Sequence, residues 1–197
     1  MIHNKIVFSG PVGAGKTTAI GAVSDLPPVT TDTLATDEAA ALKPTTTVAM
    51  DYGVLLLDGG EKVHLYGTPG QDRFDFMRAI LAEGAIGIIL LVTSRRPDPV
   101  ADLRHFVADF GRLIQRTHLA VGVTGMDVTR RPPLPAYRRA LADAGVSAPV
   151  FETDARRRED VALLIQALLV SIDPALAADA ARDGGARPAA VETRDYW

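Results

Sequence analysis

Apolar and polar positions along the chain fall into blocks whose periods alternate. Residues 2–9, IHNKIVFS, predict a first strand that enters a glycine loop, and KTTAIGAV at 16–23 starts a helix. Between 24 and 46 no steady period survives, and Pro27, Pro28, Pro44 and six threonines predict mostly loop. TVAMDYGVLLL (47–57) and KVHLY (62–66) read as strands joined in a hairpin at the DGGE turn, 58–61. AIGIILLV at 85–92 carries no polar residue, the pattern of a parallel strand buried on both faces. Helical spacing follows at Val100, Leu103, Val107, Phe110 and Ile114, predicting one helix over 98–117. HLAVGVTG (118–125) is a further buried strand, succeeded by a Pro-rich link and a helix near 135–144. APVFET (148–153) and REDVALLIQALLVSI (158–172) give the last strand and helix, which Asp173-Pro174 stops.

Strands alternating with helices predict an α/β fold: a mostly parallel six-stranded sheet with one antiparallel hairpin edge and helices on both faces. The apolar face at Val161, Leu164, Ile165 and Leu168 is core packing for the last helix. One domain is expected over 1–173. Residues 174–197 are mainly Ala, Gly, Arg, Asp and Pro, with little to bury, and read as a flexible tail ending in Tyr196-Trp197.

Composition narrows the functional classes. With 47% hydrophobic and 23% charged residues in 197, the chain suits a soluble domain with a substantial core. A formal charge of −3 gives no pull toward nucleic acid or an anionic membrane. The absence of cysteine excludes disulfides, thiolate catalysis and prenyl or palmitoyl anchors, and fits a cytoplasmic location. The N-terminal run is not that of a signal peptide, and the longest apolar stretch, 84–92, is too short to span a bilayer. His3, His64, His105 and His118 are scattered without metal-ligand spacing.

The first loop carries the sharpest chemistry. GPVGAGKT, Gly10–Thr17, satisfies G-x-x-x-x-G-K-[ST] between an apolar strand and a helix. Glycines let the backbone curl until its N–H groups converge on phosphate oxygens, and the helix N-terminus adds a favourable dipole. Gly10, Gly13, Ala14 and Gly15, with Lys16, Thr17 and Thr18, are therefore the candidate phosphate contacts. Lys16 would lie along the β- and γ-phosphates and the Thr17 hydroxyl would ligate Mg²⁺. This motif alone does not choose among kinases, ATPases and GTPases.

Further along, TVAMDY, YGTPGQDRF (66–74), TGMD (124–127) and ETDAR (152–156) follow in order. The chain resembles the Ras-like small GTPases of the P-loop NTPase superfamily, especially the bacterial gliding-motility (MglA-like) type, over roughly residues 2–172. The resemblance implies a Ras-like G domain that binds GTP and GDP with Mg²⁺, hydrolyses GTP slowly, and signals to a protein effector through two switch segments. It also implies an activating partner, a small roadblock-fold protein in those relatives. Thr47 falls where the family keeps the switch I threonine that contacts metal and γ-phosphate, with Thr45 and Thr46 as close rivals. Gly70 matches the glycine whose N–H meets the γ-phosphate, and Gln71 the glutamine that orients the attacking water. Arg73 is an internal arginine-finger candidate, although its place suggests a structural salt bridge.

Asp127 matches the carboxylate that accepts two hydrogen bonds from guanine. Thr124 and Gly125 replace the asparagine and lysine of that box, so guanine selectivity with weakened affinity is expected. In ETDAR, the Ala155 backbone N–H would donate to guanine O6, flanked by Asp154 and by Arg156 in place of a lysine. Gly67 stands where the family has a metal-organising aspartate, and Asp51 is a candidate to replace its carboxylate. Two other readings stay open: a nucleotide-binding scaffold with little hydrolysis, and a P-loop ATPase or kinase.

Overall fold

The computed structural model describes residues 4–30, 50–57, 60–70, 80, 83–114 and 117–173. Seven strands form one sheet: β1 (Asn4–Ser9), β2 (Val29–Thr30), β3 (Asp51–Leu56), β4 (Lys62–Gly67), β5 (Gly87–Thr93), β6 (His118–Thr124) and β7 (Val150–Glu152). Among the described residues the helices are α1 (Lys16–Val23), α2 (Pro99–Asp109), α3 (Gly111–Ile114), α4 (Leu134–Asp143) and α5 (Arg158–Ile172).

The strands run in the order β2-β3-β4-β1-β5-β6-β7. Neighbours from β4 to β7 are parallel, while β3 is antiparallel to both β4 and β2. Six strands meet the expectation from sequence. The seventh, β2, is two residues long and falls in the stretch expected to be loop, too short to leave a period.

All seven residues of β5 are buried. The pleat sends Ile89 and Leu91 to a core shared with α1 and α5, and Ile88, Leu90 and Val92 to a second core with α2 and α4. That two-sided burial is why the run is apolar throughout. The helix expected over 98–117 is divided. Asp98 caps α2 by accepting from the Ala101 N–H at 2.9 Å, and Phe110 leaves helical geometry (ψ 2°) just before Gly111, a poor helix former. Among the described residues no helix is long and apolar enough to cross a membrane.

Tyr137 of α4 is wholly buried in the second core, and its hydroxyl has no partner among the described residues. Burial, with smaller contributions from Asp102 and Asp98, pushes its pKa from 10.0 up to about 12. A folded-state value raised this way leaves stability intact below the unfolded value of 10.0 and erodes it as pH rises toward about 12. Tyr137→Phe should therefore keep or raise stability, by about 1 kcal/mol at neutral pH, and should resist alkaline unfolding better. Urea denaturation at neutral pH and above pH 10 checks both.

Candidate nucleotide site

The carboxyl ends of β1, β4, β5, β6 and β7 all open on one rim of the sheet, where parallel α/β folds bind ligands. β1 lies between the half of the sheet built by β3 and β4 and the half built by β5 to β7, so the loop after it sits where successive connections diverge. That loop is Gly10–Gly15. α1 begins directly after it at Lys16, with Gly15 in the left-handed region (φ 95°) and no side-chain cap on the helix N-terminus. The first-turn N–H groups thus point into the loop without a side-chain acceptor, a favourable place for an anion.

Lys16, a residue only 8% exposed, reaches back across the loop, and its Nζ donates to the carbonyls of Gly10 (2.7 Å) and Pro11 (2.9 Å). Gly70 closes the other side: a Cβ there would lie 2.7 Å from the Val12 nitrogen and 2.8 Å from Lys16 Nζ. The end of β4 is fastened to the loop entry by two contacts absent from the sequence reading. Thr68 donates its N–H to the Phe8 carbonyl at 2.9 Å, and the buried Ser9 and Thr68 hydroxyls are 2.9 Å apart. Thr68 lies in the YGTPGQDRF segment, but the sequence gives no sign of a partner for its hydroxyl, and only strand pairing brings it to Ser9.

Thr17 donates its hydroxyl to Asp51 Oδ2 at 2.6 Å. Asp51 begins β3 and stands opposite Gly67 in the antiparallel register. A Cβ on Gly67 would lie 2.9 Å from both the Cβ and Oδ2 of Asp51 and 3.1 Å from Ile20 Cδ1. The Asp51 carboxylate therefore fills the space into which a side chain at 67 would grow. A hydroxyl and a carboxylate beside a phosphate loop form a hard oxygen donor set, the kind that Mg²⁺ takes.

Next to the phosphate loop a cavity of about 370 Å³ opens. Its walls bring together Gly13, Ala14, Gly15 and Thr18 with Thr124, Gly125 and Asp127 after β6, and Asp154, Ala155 and Arg156 after β7. Thr124 ties two of these walls by donating its hydroxyl to the Ala14 carbonyl at 3.0 Å. Gly15 and Ala155 touch, since a Cβ on the glycine would be 2.9 Å from that of the alanine. Arg156 binds Asp154 (2.7 Å) and Asp127 (3.3 Å), while Arg95 approaches Asp127 from the other side at 3.6 Å. The hydrogen bond from the Arg156 guanidinium is the main reason the Asp154 pKa falls from 3.8 to about 2. What that carboxylate adds to stability is complete above 3.8 and is lost only as pH falls toward about 2. Arg95 is part of the site and was missed from sequence, because nothing in TSRRP signals a nucleotide contact.

Thr47 and Gln71, together with Thr45, Thr46 and Arg73, lie outside the described residues. A larger cavity of about 550 Å³ lies at the opposite end of β6, between α2, α3 and the residues after α4, and the phosphate loop takes no part in it.

A glycine-rich loop between a central parallel strand and a helix, on the carboxyl rim of an α/β sheet, defines a P-loop nucleotide-binding protein. The chain belongs to the family described as conserved hypothetical ATP binding protein, whose model matches residues 8–144. That span holds the phosphate loop, Asp51, Gly67, Gly70, Arg95 and Asp127. Over 50 residues the chain is also 42% identical to the uncharacterized protein MJ1339 of Methanocaldococcus jannaschii. The shared stretch covers 25% of this chain and 32% of that relative, so the chain matches about a third of the relative's length.

Proposed function

We propose that this protein is a Mg²⁺-dependent GTPase switch of the small-GTPase kind, holding guanine nucleotide across the phosphate loop and the adjoining cavity. The carrying observation is that Asp127, the one carboxylate of the TGMD segment, lines a cavity continuous with the loop of Gly13–Gly15. A carboxylate there can accept from the N1–H and exocyclic amine of guanine, a donor pair that adenine lacks. Lys16 neutralises the β- and γ-phosphates, and Thr17 and Asp51 fit the metal, which when bound offsets charge on the phosphate oxygens. Gln71 orients a water for attack on the γ-phosphorus. The bond to the β–γ bridging oxygen breaks, GDP keeps that oxygen, and inorganic phosphate leaves. Gly70 and Thr47 sense the γ-phosphate, so the two switch segments differ between triphosphate and diphosphate states. A protein activator, of roadblock fold by the resemblance, completes the catalytic site, and an effector reads the switches.

Hydrolysis or binding of ATP is the second reading. The family description favours it, and so does the engagement of Asp127 by two arginines, which compete with guanine for the same oxygens. Denaturing the purified protein, identifying the nucleotide it releases, and timing phosphate release separates the readings. GDP with slow GTP hydrolysis is expected. Adenine nucleotide with ATP turnover replaces the switch by the second reading, and bound nucleotide with no phosphate release leaves a scaffold.

A further inference from the structure

We infer that Arg95, from the loop after β5, covers the face of the bound purine, laying its guanidinium plane against the ring. This rests on the cavity beside the phosphate loop being the nucleoside site. The observation comes from Gly125, whose φ of +76° strains any residue with a side chain. A Cβ there would meet Arg95 Cγ at 3.0 Å, Arg95 Nε at 3.0 Å and Thr93 Oγ1 at 3.0 Å. The Arg95 stem lies flat across the bare backbone of Gly125 and occupies the space that a side chain at 125 would take. The two positions are complementary: the glycine makes the room and the arginine fills it.

Two further facts aim this side chain at a ligand. Arg95 lines the same cavity as Asp127, and its guanidinium is 3.6 Å from Asp127 Oδ1, which tethers the head group beside that carboxylate. The side chain is 56% exposed, so one face remains open to stack on. Arginine suits the task better than lysine, because its guanidinium is planar, weakly hydrated and attracted to π-faces. A ring whose edge reaches Asp127 enters beneath that plane. Every purine has such a face, so the cover adds affinity without choosing between guanine and adenine; choice is left to Asp127.

The test compares GDP, ADP and inorganic tripolyphosphate, each with Mg²⁺, by calorimetry on the full chain and on Arg95→Ala and Arg95→Lys, with thermal unfolding as a control. Arg95→Ala is expected to weaken ADP about tenfold, to weaken GDP by less because it also frees Asp127 Oδ1 for guanine, and to leave tripolyphosphate unchanged. Arg95→Lys should recover only part of the loss, since it keeps the charge and lacks the plane. Undiminished ADP affinity in Arg95→Ala overturns the inference alone. An equal loss of tripolyphosphate also overturns it, because the effect then reaches the phosphate loop. A wild-type chain that binds tripolyphosphate but neither GDP nor ADP overturns the nucleoside-site reading beneath it.

Discussion

Replacing Lys16 with alanine should lower nucleoside triphosphate affinity by about 100-fold while leaving the fold in place. Its ammonium is nearly buried and already oriented by the Gly10 and Pro11 carbonyls, so little ordering remains when phosphate arrives. Hydrogen bonds to charged groups are worth about 1.5–3 kcal/mol each, and a β,γ-bridging lysine makes at least one, plus its Coulombic attraction. The two carbonyls that lose their donor are buried, so the substitution should also cost about 1–3 kcal/mol of stability, too little to unfold the domain. Calorimetric titration with GTP and ATP, beside thermal unfolding, reads both halves of this result. Unchanged affinity would remove the phosphate loop from the account.

Asp51→Ala should remove most of the Mg²⁺ dependence of triphosphate binding and lower hydrolysis by about tenfold to 100-fold, the usual cost of losing a residue that supports metal ligands. Thr17 loses its 2.6 Å partner, and a bound metal would lose the carboxylate that holds this hydroxyl. Gly67→Asp alone should impair the protein, since the new side chain would meet Asp51 at 2.9 Å and set two carboxylates against each other. The double exchange, Asp51→Gly with Gly67→Asp, should recover metal dependence. The carboxylate then enters the same space from the facing strand. Measuring nucleotide affinity against Mg²⁺ concentration in all four proteins checks this. A double exchange no better than either single change would show that the position of the carboxylate on the hairpin is what matters.

That exchange also shows what the sequence could and could not disclose. Every pair in the β3–β4 hairpin is symmetric about position 59, inside the Asp-Gly-Gly-Glu turn, so Asp51 and Gly67 are equidistant from it. The turn suffices to place the aspartate opposite the glycine, although the sequence put Asp51 forward only as another carboxylate able to reach the metal. The phosphate loop and β5 were legible for similar reasons: one is a contiguous motif, the other an unbroken apolar run. Arg95 over Gly125 was not legible. The two residues lie on the loops after β5 and β6 with two helices and a strand between them, and their fit depends on a backbone angle that no local pattern announces. The break at Phe110 was hidden because the apolar spacing continues through it into α3. Asp127 was a candidate through the match of TGMD to a base-recognition box, whereas its two arginine partners come from different loops and become visible only in three dimensions.

One titration reaches the central claim most directly: GDP and ADP, each with Mg²⁺, into nucleotide-free protein, repeated with Asp127→Ala. One site per chain is expected, tighter for GDP than for ADP, with the preference erased by the substitution while ADP affinity holds. Tighter binding of ADP, or a GDP preference that survives the loss of Asp127, would contradict the central claim.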